Sequence, residues 1–399
     1  MKLVLLNVKF SPNLGDGIIA ECLEWALREA DPTISAVSCD LAGRTAFGDG
    51  INQSRRTVYA VLDRLPKPVR RQFVEYMLKH MIRTRLREHY DNALKGADAA
   101  LIGGGQLIAD ADLNFPLKIS AAVSQARQRN VQVGVYGAGV GGCFSEEGHA
   151  LFDKAFGKGL VCTRLRDEIS VSRWRKNFAA DDIRTVHDPG MLARQVYGPA
   201  RGSRRKRPLI GVGITNPSTL NLHADEKTYG KREWRDFFIW LCEALVADGY
   251  DVQLFTNGAH DDHVFADFVF AGAEGMLRAS GRIRPARTLT RPAELAHLIG
   301  SFDGLVAHRL HAAIVAYSYG VPHVGLGWDS KMDGFFSTVG RQDFLISDTR
   351  PSSSAVCASI GEAMRAGIDE DARAEAMAVT RGEVRDLVGL LKAACLAHA

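Results

Sequence analysis

Between residues 308 and 311 the chain reads His-Arg-Leu-His, followed by Ala-Ala-Ile-Val-Ala-Tyr-Ser-Tyr-Gly. Leu310, Ile314 and Tyr317 recur at three- and four-residue spacing, the mark of a helix with one buried side. Gly320 and Pro322 end it. His308, Arg309 and His311 therefore fall in or beside the first helical turn, where free N–H groups and the helix dipole already concentrate positive charge. A helix start normally carries Asp, Asn, Ser or Glu, so three basic side chains there call for a counter-ion. Two arrangements satisfy the physics. One is an incoming anion, phosphate or carboxylate, gripped by the N–H groups and the planar Arg309 fork. The other is a buried ion pair with a carboxylate from elsewhere in the chain. In the first case a histidine can gain a proton as the anion binds and then serve as a general acid.

Other groups compete for attention. Gly137-Ala138-Gly139-Val140-Gly141-Gly142 satisfies GxGxxG and follows an apolar strand. The dinucleotide reading fails on context. Earlier strands precede it, Cys143–Gly148 reads as loop, and no acidic residue ends a strand about 20 residues on. Gly103-Gly104-Gly105, Gly137-Ala138-Gly139 and Gly211-Val212-Gly213 are instead expected to end strands where a cleft wall needs close backbone approach. His260-Asp261-Asp262-His263 has metal-ligand residue types, but a short polar run is expected to be solvated, and no metal is called for. The seven cysteines are widely spaced with no CxxC pair, which fits free thiols in a reducing compartment.

The elements that must position these groups alternate strand and helix. Strands are expected at Leu3–Val8, Ala99–Ile102, Val131–Tyr136 and Leu160–Arg164, with helices at 18–30, 119–129 and 168–177. Gly198–Pro208, carrying Arg201, Arg204, Arg205, Lys206 and Arg207, breaks the pattern as a linker. The alternation restarts with strands at 209–214, 252–255, 305–307 and 323–326 and helices at 234–248 and 309–319, and the chain is helical from 355 onward. The sequence thus predicts an α/β protein of two Rossmann-like domains facing across a cleft: residues 1–197 on the acceptor side, a linker 198–208, a domain 209–350 with the anion site, and C-terminal helices 351–399. The apolar start Leu3–Leu6 stops at Asn7, too short for a signal peptide, and reads as a first strand. With 46% hydrophobic and 24% charged residues over 399 positions, two ordinary cores can be built. A net charge of +4 is too mild for a dedicated nucleic-acid binder. Residues 64–95 form a basic stretch with Val69, Phe73, Met77, Ile82 and Leu86 near helical spacing. They read as a surface helix packed on its own domain, with docking on an anionic membrane as the alternative.

The segment from Val306 to Pro322, then Gly327-Trp-Asp-Ser-Lys-Met, resembles the signature of the polysaccharide pyruvyl transferase family. Asn13-Leu14-Gly15-Asp16 is similar to its NxGD turn, Gly103–Gly105 to its GGG turn and Gly137–Gly139 to its GxG turn. Arg166-Asp167-Glu168-Ile169-Ser170 resembles its RDxxS motif, Asp188-Pro189 its DP turn, and Thr256-Asn257-Gly258 its TNG. Trp328 stands where the family often has Tyr, and residues 64–95 match no motif of it.

The resemblance implies a GT-B-like fold and transfer of the pyruvyl group of phosphoenolpyruvate to a saccharide, forming a ketal and releasing phosphate. Arg309 and His311 match the family's Arg-Leu-His element. Arg309 is then expected to hold the carboxylate or phosphate, with His308 beside it, and His311 to do acid–base work. Arg166 and Lys331 would add anion contacts. Asp16 would touch a sugar hydroxyl or cap the helix after it; Asn13, Gly104, Gly139 and Asn257 complete the substrate-binding set. No cofactor is implied beyond the donor. The acceptor can be lipid-linked, which suits a cytoplasmic protein at the inner face of a membrane. Two rival functions remain: a glycosyltransferase using a nucleotide sugar on the same fold, and a non-catalytic part of a polysaccharide assembly complex.

Overall fold

Leu3–Leu6, Ala99–Ile102 and Val133–Val135 are unbroken apolar runs, the pattern of parallel strands covered on both faces. In the computed structural model they are buried throughout. The structure describes residues 1–48, 67–110, 112–157, 159–179, 182–200, 205–218, 228–327 and 330–397. It divides into two compact units: residues 1–11, 19–189 and 379–399, and residues 12–18 with 190–378. The division falls at 189/190, ahead of the basic segment at 198–208.

In the first unit six parallel strands take the order β2-β1-β3-β4-β5-β6. They are β1 Lys2–Asn7, β2 Ser35–Asp40, β3 Ala99–Ile108, β4 Gln132–Val140, β5 Thr163–Leu165 and β6 Ile183–Thr185. The helices are α1 Leu14–Ala30, α2 Lys67–Met81, α3 Arg87–Leu94, α4 Asn114–Gln128, α5 Glu146–Phe156 and α6 Glu168–Asn177. The first turn of α1 belongs to the second unit. Strands β2 and β6 escape the sequence reading: Ser35–Asp40 mixes polar with apolar residues, and Ile183–Thr185 is too short to show a period.

Gly211-Val212-Gly213 ends the strand Leu209–Gly213 as expected, but the other two glycine runs do not end theirs. β3 continues through Gly103–Gly105 to Ile108, and β4 through Gly137–Gly139 to Val140. Pairing between them shifts register after Gly105, with Gly104 and Gly105 at φ of 83° and 79°. The glycines thus make a bulge inside the sheet, a backbone shape that a side chain opposes.

The second unit repeats the plan, with six parallel strands in the order β12-β11-β10-β7-β8-β9. These are β7 Leu209–Gly213, β8 Asp251–Phe255, β9 Ile283–Pro285, β10 Gly304–Ala307, β11 His323–Leu326 and β12 Leu345–Ile346. Its main helices are α7 Lys231–Ala247, α8 His260–Gly272, α9 Pro292–Gly300, α10 Leu310–Tyr319, α11 Ser330–Thr338 and α12 Ser353–Ala366; α13, Glu370–Leu396, is one continuous helix whose part from Val379 onward belongs to the first unit. Leu310, Ile314 and Tyr317 pack with Met332, Phe335 and Phe336 as a core stripe, but α10 is buried on nearly every side rather than one, since Ala312, Ala313, Val315, Ala316 and Ser318 are buried too.

The basic segment corrects one expectation. A π-helical stretch, Ile82–Leu86, joins α2 to α3. Leu78, Ile82, Leu86, Tyr90 and Leu94 form the buried line. Phe73 and Met77, expected on that line, are 42% and 47% exposed, beside Tyr76 at 63%. The predicted stripe had mixed two faces; the side chain of Val69 lies outside the described residues. Among the described residues no helix is long and apolar enough to cross a membrane. The seven cysteines are all free of disulfides.

Candidate active site

β10, β7 and β8 are neighbours in the second sheet, so the loops after their carboxyl ends gather in one place, where α/β sheets usually take ligands. After β10 comes His308-Arg309 and the start of α10, with Arg309 as the N-cap residue. After β7 come Thr215 and Asn216, and after β8 Thr256, Asn257 and Gly258. Residues 12–18 of the same unit join them: the Leu14 N–H donates to the Asn257 carbonyl at 2.7 Å. Gly258 has φ of 102°, and a Cβ there would lie 2.8 Å from the Pro12 carbonyl oxygen, so the turn needs glycine for two reasons. Asn257 is 1% exposed, which makes it a buried brace of this junction.

The Asn13–Asp16 turn is built around His311. The Asn13 side chain accepts from the Gly15 N–H at 3.3 Å and donates to Asp16 Oδ1 at the same distance. Asn13, rather than Asp16, is therefore the residue that caps α1. Asp16 lies in the first turn, with Oδ1 3.8 Å from His311 Nδ1. A Cβ on Gly15 would sit 2.7 Å from both Cβ and Nδ1 of His311, so glycine lets the turn close onto the ring. Gly15→Ala is accordingly expected to displace His311, with turnover falling at least about tenfold while circular dichroism stays native; steady-state kinetics check this, and unchanged turnover would contradict it.

Arg309 has found a counter-ion within its own unit. Its Nη2 donates to Asp262 Oδ2 at 2.6 Å; the Asp262 side chain is 1% exposed and that of Arg309 18%. The ion pair left open by the sequence is thus present, and its carboxylate comes from the His260–His263 run. Sequence reasoning missed Asp262. The usable signal was the helix start itself, whose excess positive charge demanded a carboxylate, but nothing linear ties residue 262 to 309. His263 shares hydrogen bonding with Thr256 Oγ1 at 3.2 Å, and burial lowers its pKa. Among the described residues no three His, Cys, Asp or Glu side chains are grouped as a metal site.

His308 corrects the sequence reading. It is 1% exposed, with its ring edge-on to Trp234 at 4.7 Å and to Phe238 at 5.8 Å. Burial, helped by the Arg309 charge, lowers its pKa to about 3. The ring is neutral core material at the end of β10 and brings no positive charge to an anion. Lys331 is half-buried in the first turn of α11. Trp328 lies outside the described residues.

The remaining candidates sit in the first unit. Arg166 follows β5 and is 9% exposed. Its Nε is 3.3 Å from Asp167 Oδ2, and its Nη2 donates to Gln106 Oε1 at 3.4 Å. A Cβ on Gly139 would lie 2.5 Å from Arg166 Nη2, so this glycine makes room for the guanidinium. Gly104 faces Ile19, where a Cβ would lie 3.1 Å from Cγ2. The rest of the Arg-Asp-x-x-Ser motif is local architecture. Asp167 caps α6 by accepting from the Ser170 N–H at 2.6 Å, and Ser170 Oγ accepts from the Val140 N–H at 3.1 Å. His187 binds Glu383 through its N–H at 2.9 Å and its ring Nδ1 at 3.0 Å, a structural clamp. The structure therefore brings Asn13, Asp16, Asn257, Arg309 and His311 together in one unit, while Arg166, Gly104 and Gly139 belong to the other.

The profile of the polysaccharide pyruvyl transferase family matches residues 13–330. The chain belongs to that family. It is accordingly a transferase of polysaccharide biosynthesis. No curated protein matches the chain. Among solved structures, UDP-GlcNAc 2-epimerase from Neisseria meningitidis, bound to UDP-GlcNAc, is similar at a TM-score of 0.57 and 12% identity, covering 98% of this chain and 100% of that one. UDP-N-acetylglucosamine 2-epimerase from Rickettsia bellii is similar at 0.55 and 12%, covering 98% and 96%. At that identity the likeness speaks for the fold alone, and it makes this pyruvyl transferase family member GT-B-like.

Proposed function

We propose that the chain transfers the pyruvyl group of phosphoenolpyruvate to two hydroxyls of a saccharide destined for a cell-surface polysaccharide, forming a cyclic ketal and releasing phosphate. The observation that carries this is the placement of Arg309 and His311 together at the first turn of α10, with Asp16 beside the histidine. Arg309 and the positive end of the α10 dipole hold the carboxylate or phosphate of the donor. His311, protonated, delivers its proton to the methylene carbon, which becomes the methyl group, and C2 turns electrophilic. One sugar hydroxyl adds to C2, phosphate leaves with the C–O bonding pair, and the second hydroxyl adds in its place. The two hydroxyl protons return to His311 and the phosphate. Asp16, 3.8 Å from the ring nitrogen, holds the imidazole orientation. Lys331 adds positive charge toward the donor. Arg166, whose guanidinium has its room beside Gly139, serves the acceptor.

Donor binding gives the first test. Millimolar phosphoenolpyruvate should raise the melting temperature by mass action, at about 2.7 kcal/mol when the ligand is at 100 times its Kd. Stabilisation by a nucleotide sugar with no response to phosphoenolpyruvate would favour the glycosyltransferase instead.

A lipid-linked acceptor at the inner face of a membrane is part of the same proposal. Phe73, Tyr76 and Met77 form an exposed apolar patch on α2, and His80, Arg83 and Arg87 continue the line, exposed, at three- and four-residue steps. Lys79 is tied to Glu75 and Glu147 instead. Co-sedimentation with vesicles containing phosphatidylglycerol should fall when Phe73 and Met77 are both changed to Glu. Equal sedimentation of the variant would remove the membrane contact from the proposal.

A further inference from the structure

We infer that Asp262 is a positioning residue for the transfer: it fixes the Arg309 guanidinium in the orientation that receives the donor's anionic group. The inference rests on the proposed donor site. Both carboxylate oxygens of Asp262 are committed. Oδ2 accepts from Arg309 Nη2 at 2.6 Å, and Oδ1 accepts from the Asn216 N–H at 2.8 Å. Asn216 Nδ2 in turn donates to the Asp261 carbonyl at 3.1 Å, so the loop after β7 and the start of α8 are laced together around the carboxylate. Asp262 lies in the first turn of α8, where the helix dipole favours an anion. It is 1% exposed and cannot exchange Arg309 for water.

The geometry at the other end is one-sided. Among the described residues the Asp262 contact is the hydrogen bond that the Arg309 guanidinium makes, and Nε has no acceptor. One corner of the fork is therefore pinned, Nε is buried without an acceptor, and the side chain as a whole keeps 18% exposure. An arginine on a free tether would lose side-chain entropy each time it closed on a substrate; an anchored one has lost it in advance. Asp262 touches no substrate in this account. It acts through Arg309, as an outer-shell carboxylate orients an inner ligand.

The test pairs Asp262→Asn with Asp262→Ala. The asparagine keeps the shape and an acceptor for the Asn216 N–H but removes the charge. For Asp262→Asn, kcat/KM for phosphoenolpyruvate should fall about tenfold, and for Asp262→Ala about a hundredfold. KM for the saccharide should stay at the wild-type value in both, and calorimetric titration with phosphoenolpyruvate should show the same ranking of Kd. A wild-type kcat/KM and Kd in Asp262→Asn would overturn the inference. So would a fall of donor and acceptor parameters together with the melting temperature, which would mark a purely structural pair. If the wild-type protein itself gives no heat with phosphoenolpyruvate, the donor site fails first, and the inference with it.

Discussion

Arg309→Ala should reduce pyruvyl transfer by at least about a thousandfold, because it removes both a charge-assisted contact to the donor and part of the preorganised positive field at the reacting centre. It should also destabilise the protein. From the sequence alone the substitution is expected to leave the thermal transition nearly unchanged. The structure revises that, because truncation strands the buried Asp262 carboxylate without its cation. Breaking one side of a buried pair costs about 3 kcal/mol or more, and in a unit of this size that lowers Tm by roughly 6–12 °C. Arg309→Lys separates the two effects. It keeps a charge near Asp262, so most of the melting temperature should return. It lacks the planar fork, so activity should stay low. Assays of kcat/KM and differential scanning calorimetry on both variants check this. Full activity in Arg309→Ala would remove the residue from the donor site.

His311→Ala carries the second large effect, of another kind. As the proton donor to the methylene carbon, His311 should matter for turnover more than for binding. A fall in kcat of about 10²–10⁴ is expected for losing a positioned general acid. The calorimetric Kd for phosphoenolpyruvate should change only a fewfold. Stability should move less than in Arg309→Ala, since the nearest carboxylate, Asp16, lies 3.8 Å away and is partly solvated. An equal loss in Kd and kcat would make His311 a donor-binding group. His308 serves as the contrast: with its pKa near 3 it stays neutral across the working pH range, so no limb of the activity–pH profile should belong to it.

The sequence made α10 legible because its evidence is local: a buried stripe, a Gly–Pro stop and an abnormal charge at the start. The two parallel sheets were legible for the same reason, since strands covered on both faces read as apolar runs. What stayed hidden depends on contacts distant in sequence. Asp262 meets Arg309 because β8 and β10 flank β7, an order no linear pattern displays. His308 looked cationic because its neighbours are polar in sequence, while in space it is enclosed by Trp234 and Phe238. The glycine runs at 103–105 and 137–139 looked like strand ends, but both strands continue through them, and their pairing shifts register after Gly105. The basic helix misled because Phe73 and Met77 are apolar yet lie one position off the buried line that runs through Leu78, Ile82 and Leu86.

The central claim is that phosphoenolpyruvate is the donor and that its pyruvyl carbons end up on a saccharide. Transfer from carboxyl-labelled phosphoenolpyruvate to a panel of lipid- and nucleotide-linked saccharides, with phosphate measured alongside, tests it most directly. The account predicts label in an acid-labile ketal on at least one acceptor, one phosphate released per ketal formed, and neither product with Arg309→Ala. Label confined to unreacted donor across the panel, with nucleotide released from a nucleotide sugar instead, would contradict it.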